Sequence, residues 1–207
     1  MKYSKLAEIY QELEKNSSRL KKTEILSKFF KTLNKNKEDN QIIYLIQGTV
    51  WPDYIEKEFG ISNQLSIKAL SKTTGTSTQE IIKQLKKIGD LGLVTEKLVN
   101  KKSQSTLFTH NLTTKKVIEN LQRLPEIQGK GAIDRKMSIV AELLTSASGL
   151  EAKYIIRTLL NDLRIGVASG TLRDSIHESF FKKQDKETLD LIQSAYDKST
   201  DLALVFE

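Results

Sequence analysis

At 207 residues, 38% of them hydrophobic, the chain can bury a core of one large domain or two small ones. The absence of cysteine excludes disulfides and thiolate zinc sites, and His110 and His177 lie far apart in sequence, so both are expected at the surface and no metal site is expected. Neither a signal-peptide apolar block nor a run long enough to span a bilayer occurs, which points to a cytoplasmic protein without a membrane partner.

Along the chain, apolar residues recur mostly at helical spacing. Tyr3, Leu6, Ile9 and Leu13 form one such face, and Ile25, Leu26, Phe29, Phe30 and Leu33 form the next. Residues Asn34 to Asn40 read as a loop. The uniformly apolar run from Ile42 to Ile46 then predicts a core helix stopped by Gly48, and Trp51-Pro52 starts a new direction. Helix starts are expected at Ser77 with Glu80, Thr113, Ser148 with Glu151, and Thr171 with Asp174, where side chains can accept free backbone N–H groups. Stops are expected at Gly75, Gly89 and Pro125. Only Leu93 to Val99 and Ser105 to Phe108 look strand-like. The expected fold is all-α, one multi-helix domain over residues 1–207 and open to a division into two lobes.

The net charge of +7 is a weak indicator by itself, but its distribution is uneven. Between Lys97 and Lys136 stand nine basic residues against three acidic ones, which accounts for +6 of the total. Such an excess can be a solvated face or a surface for a polyanion, where each neutralised phosphate releases counterions.

Two glycine-bearing loops, each leading into a helix, are the candidate sites. In Gln128-Gly129-Lys130-Gly131 the glycines let backbone approach a ligand, the helix that follows offers free N–H groups and the positive end of its dipole, and Lys130, Arg135 and Lys136 add charge. The spacing of a nucleotide-binding P-loop is absent. The second loop runs from Arg164 through Gly166, Ser169 and Gly170 to Thr171 and Arg173, where two arginines and two hydroxyls could meet phosphates while Ile165 and Val167 pack inward. Together the two would suit backbone contacts to duplex DNA of any sequence.

The run Gly129-Lys130-Gly131 with Asp134-Arg135-Lys136, then Glu151-Ala152-Lys153-Tyr154-Ile155-Ile156-Arg157, then Asp162-Leu163-Arg164-Ile165-Gly166-Val167 and Gly170-Thr171-Leu172-Arg173-Asp174 resembles the N-terminal DNA-binding domain of archaeal and eukaryotic ATP-dependent DNA ligases. Lys5-Leu6-Ala7-Glu8-Ile9-Tyr10 and Lys86-Lys87-Ile88-Gly89-Asp90-Leu91-Gly92 are similar to the archaeal branch. The resemblance implies an all-helical, monomeric, nucleoid-associated domain that binds nicked duplex DNA in replication, repair and recombination, with the two loops as its main contacts. It also implies that ATP and Mg2+ serve the full-length ligase through a lysyl-adenylate at a Lys-x-Asp-Gly motif in a following catalytic domain. No Asp-Gly dipeptide occurs here, so the chain is expected to be a truncated form, inactive alone and without a cofactor or catalytic residue of its own.

Archaeal ligases are similar, too, at Gln104-Ser105-Thr106-Leu107-Phe108. There the resemblance implies docking to the replication sliding clamp through Gln104, Leu107 and Phe108; the second aromatic of a full clamp-binding box is missing, and both apolar residues could instead serve the domain's own core. Ile25 to Phe30 has an aromatic pair but no glutamine at the right distance, and is expected in the core. A different reading takes residues 65–94 as a winged helix-turn-helix of a transcription regulator: helix, glycine turn, basic helix, short strand. It leaves the paired loops and the later basic excess without a role.

Overall fold

The computed structural model describes residues 1–34, 37–103, 112–181 and 186–207. Among these residues it has twelve helices and a single isolated β-bridge, between Lys2 and Thr113, in agreement with the all-α expectation. The chain divides into two compact units, Met1–Ala7 with Lys57–Leu163, and Glu8–Glu56 with Arg164–Glu207. Helix α1 (Tyr3–Lys15) contributes residues to both.

The first unit holds α4 (Asn63–Thr74), α5 (Thr78–Ile88), α6 (Leu91–Ser103), α7 (Thr114–Arg123), α8 (Ala132–Ser146) and α9 (Gly149–Leu159). Local chemistry sets most of its boundaries. The hydroxyls of Ser77 and Thr113 accept the N–H groups of Glu80 and Lys116, and Ser148 with Glu151 forms a reciprocal capping box. Gly75 and Gly89, both left-handed, end α4 and α5. The core is built chiefly by α6 on α9 and α4 on α8.

The strand-like reading of Leu93 to Val99 is corrected: the segment lies within α6. Its buried side chains are Leu91, Val94, Thr95, Leu98 and Val99, a three-and-four spacing, with Gly92 buried beside them, while Leu93 and Lys97 are exposed. The helix starts because Asp90 Oδ1 accepts the N–H groups of Gly92 at 2.7 Å and Leu93 at 3.2 Å. With this segment helical, no wing strand follows the α4–turn–α5 pair among the described residues. Residues 105–108 lie outside those described.

The second unit holds α2 (Arg19–Phe30), α3 (Lys37–Gln47), α10 (Ser169–Phe180), α11 (Lys186–Ser199) and α12 (Leu202–Phe206). Here α10 lies along α2 and α12 against α3. Phe206 meets the rings of Phe30 and Phe180 edge-on at 5.3 and 5.6 Å between centroids, so α2, α10 and α12 share one aromatic core. Asp201 caps α12 and also accepts the Tyr44 hydroxyl at 2.9 Å, which ties that helix to α3.

Three further expectations change. Helix α3 begins at Lys37, so the Asn34 to Asn40 loop is shorter than read; Asp39 and Asn40 are buried polar residues of its first turn, and Asp39 accepts the N–H of Asn34. Thr171 is not a cap, because α10 starts two residues earlier behind Ala168 and Thr171 is buried inside the first turn. His177 is buried, stacked on Phe181 at 5.7 Å, rather than at the surface. His110 lies outside the described residues. Ile25, Leu26, Phe29 and Phe30 are buried as expected. No described helix is long and apolar enough to cross a membrane, and no group of metal-ligating side chains occurs among the described residues.

Candidate nucleic-acid interface

In the first unit, Gly129 and Gly131 take φ of 80° and 76°, a left-handed conformation that side-chain-bearing residues rarely adopt, and turn the chain into α8. Arg135, one turn into that helix, folds back over the loop. Its Nη1 donates to the Lys130 carbonyl and its Nη2 to the Gln128 carbonyl, both at 2.9 Å. The loop's acceptors are thereby drawn toward a cation, while Lys130 is exposed. Lys136 is half-buried, with its ammonium against Gly60, where an added Cβ would come within 2.7 Å of it. An open hollow of about 500 Å³, lined by Phe59, Gly60, Lys68, Ile133 and Leu159 among others, lies beside the start of α8.

In the second unit, Arg164 and Gly166 have φ of 58° and 61°. Lys22 of α2 donates from Nζ to the Ile165 carbonyl at 2.6 Å and the Gly166 carbonyl at 2.9 Å. A side chain at position 166 would have to displace that ammonium, and the positive φ itself favours glycine there. Ile165 is buried as expected, whereas Val167 is only half-buried. Ser169 is exposed and Gly170 faces the Arg19 guanidinium. Asp174 binds two arginines, accepting from Arg19 and, at its other oxygen, from Nε and Nη2 of Arg173 at 3.1 and 2.8 Å. Arg173 Nη1 donates to Gln193 at 2.7 Å, so its guanidinium is largely engaged inside the unit.

The two loops share a feature that the sequence did not display. Among the eight helices that follow the N-cap residues Ser18, Ser62, Ser77, Thr113, Gly131, Ser148, Ala168 and Asp201, α2, α4, α5, α7, α9 and α12 have a side chain accepting their first N–H groups; α8, behind Gly131, and α10, behind Ala168, have none. Those N–H groups, at the positive end of each helix dipole, suit an anion.

The basic excess from Lys97 to Lys136 is partly consumed internally. Lys116 pairs with Glu142 at 2.9 Å and Lys102 donates to the Thr73 carbonyl at 2.6 Å. Sequence reasoning missed Arg19 and Lys22, which act across more than 140 residues of chain. On α2, Lys21 and Lys28 both pair with Glu24, whose carboxyl they hold down to about 2 through hydrogen bonds, from Lys28 first. That leaves Lys22 as the lysine of this helix turned inward.

The family described as "DNA ligase N terminus" matches residues 2–177, which include both loops. The chain belongs to this family. DNA ligases of Methanosphaera stadtmanae and Thermococcus fumicolans are each 42% identical to it, over 98% and 99% of the chain, and that of Nitrosopumilus maritimus is 33% identical over all of it. These matches cover 35–36% of the relatives, so the chain spans about a third of the length of the ligases it resembles. For a ligase N-terminal chain, the candidate contacts Gly129, Lys130, Gly131 and Arg135 fall together at the start of α8, and Arg164, Gly166, Ser169, Gly170, Thr171 and Arg173 fall together at the start of α10. Gln104, Leu107 and Phe108 lie outside the described residues.

Proposed function

We propose that this ligase N-terminal chain binds duplex DNA through its phosphates, without regard to sequence, as the DNA-gripping part of an ATP-dependent ligase that seals nicks in replication, repair and recombination. The observation that carries the reading is the pair of cation-braced glycine loops, each opening onto a helix N-terminus without a side-chain cap. Loops of this kind bind backbone and offer little to base edges, which fits an enzyme that must act at a nick anywhere. Direct titration against nicked and intact duplexes of unrelated sequence tests it, and a strong preference for one sequence would return the helix-turn-helix reading to the front.

Adenylation belongs to another part of the ligase. Because no Asp-Gly dipeptide occurs in the 207 residues, incubation with labelled ATP and Mg2+ should leave the chain unlabelled on a denaturing gel. A covalently labelled band would show that the nucleotide chemistry had been assigned to the wrong place.

The clamp contact rests on sequence resemblance at Gln104, Leu107 and Phe108. Truncating a small apolar anchor removes most of such an interface's affinity. Calorimetry against a ring-shaped sliding clamp should therefore show at least about a tenfold loss for Phe108→Ala with the melting temperature unchanged. A variant that is destabilised yet still binds would place Phe108 in the core instead.

A further inference from the structure

Lys22 is 8% exposed and lies on α2, with its charge largely withdrawn from solvent. It has no ion pair among the described residues; its bonds go to two consecutive backbone carbonyls of the second loop. Burying an ammonium is costly unless its donors are satisfied, so its placement calls for a role. The two carbonyls it holds precede the N-terminus of α10, which has no side-chain cap, and they lie in a stretch where Arg164 and Gly166 both adopt positive φ. A carbonyl facing outward here would repel a phosphate approaching the helix start. Held on an ammonium, the same carbonyl has its negative end engaged.

We infer that Lys22 is a positioning residue for phosphate binding: its buried ammonium pulls the Ile165 and Gly166 carbonyls inward, so that the loop and the start of α10 present N–H groups and not oxygens to the DNA backbone. Arg135 does the same for the first loop from an exposed position, holding the carbonyls of Gln128 and Lys130. The inference rests on the DNA-binding reading above and adds a residue that never touches DNA. A structural lysine would affect stability alone; a positioning lysine affects affinity through the loop, and a contacting lysine changes the salt dependence.

The chain has no native cysteine, which permits a clean test in the whole protein. In Lys22→Cys the ammonium is removed; alkylating the unfolded variant with 2-bromoethylamine and refolding restores it on a side chain of nearly the same length. Affinity for several unrelated duplexes is then read at a series of salt concentrations, with circular dichroism to confirm folding. Lys22→Cys should bind every duplex on the order of tenfold more weakly, the size expected when a charged hydrogen bond is lost, with the log–log salt slope unchanged. The alkylated protein should recover. A folded Lys22→Cys that binds like the parent overturns the inference, as does a slope reduced by about one unit, which would mean direct phosphate contact. Failure of alkylation to restore binding also overturns it, since the loss would then come from packing. If Lys22→Cys does not fold, Lys22→Gln, which keeps a neutral donor, should show an intermediate loss, and unchanged affinity in that variant rejects the idea equally. If the parent chain shows no salt-dependent duplex binding, the functional reading itself has failed and the inference falls with it; a parent that binds beside an unaffected variant removes the inference alone.

Discussion

Replacing Asp90 by alanine should lower the unfolding free energy by about 3–5 kcal/mol, the range for removing one partner of a buried ion pair. Asp90 and Arg157 are nearly inaccessible, with side chains 6% and 3% exposed, and Arg157 Nη2 donates to Asp90 Oδ2 at 2.7 Å. The guanidinium also lies over the Tyr154 ring at 5.5 Å, between the helices that build the core of this unit. Without the carboxylate, the buried guanidinium loses the counter-charge that it meets at 2.7 Å. The other oxygen caps α6, a contribution of about 1 kcal/mol that alanine also removes. Asparagine keeps the cap acceptor but not the charge, so Asp90→Asn should fall between the parent and Asp90→Ala. Urea unfolding with unchanged m-values reads the order directly. A loss below about 1 kcal/mol for Asp90→Ala would mean that water reaches the guanidinium and the pair is not structural.

Asp90 also shows where the sequence was legible and where it was not. Caps whose signal is confined to four residues, at Ser77, Thr113 and Ser148, could be read because the acceptor and the N–H it satisfies lie within one turn. Asp90 has the same local signature, but the valine and leucine content after it suggested a strand, and only the burial of positions 91, 94, 95, 98 and 99 resolves the period. The start of α10 was misplaced for a related reason: Thr171 is a good cap by type, yet the preceding loop needs no side-chain cap and the helix begins earlier.

The site divides in the same way. Glycine, lysine and arginine in short runs marked both loops, because the conformations and charges they supply are local properties. What braces the second loop is not local. Lys22 and Arg19 precede it by more than 140 residues, and nothing in the composition of α2 distinguishes the lysine that turns inward from the two that pair with Glu24. The basic excess after Lys97 is offset in part by a neighbour outside that segment, since Lys116 pairs with Glu142 at the surface.

The phosphate-binding reading makes its most demanding prediction in salt. If about four phosphates are neutralised, affinity for duplex DNA should fall roughly a hundredfold between about 50 and 200 mM salt, by a slope near −0.9 per phosphate. The structure then ranks the side chains. Lys130 is exposed at the tip of its loop, and Arg164 is exposed at the start of the other, so Lys130→Ala and Arg164→Ala should each reduce the slope by about one unit and weaken unrelated duplexes alike. Arg135→Ala should cost more affinity than its slope change accounts for, because it also releases the carbonyls of Gln128 and Lys130. Arg173→Ala should change the slope least, since Asp174 and Gln193 already occupy three of its nitrogens. Equal slope changes in all four would mean that the Asp174 network opens when DNA binds. Unchanged slopes in all four would place the DNA surface elsewhere on this ligase chain, and the two helices without side-chain caps would need another explanation.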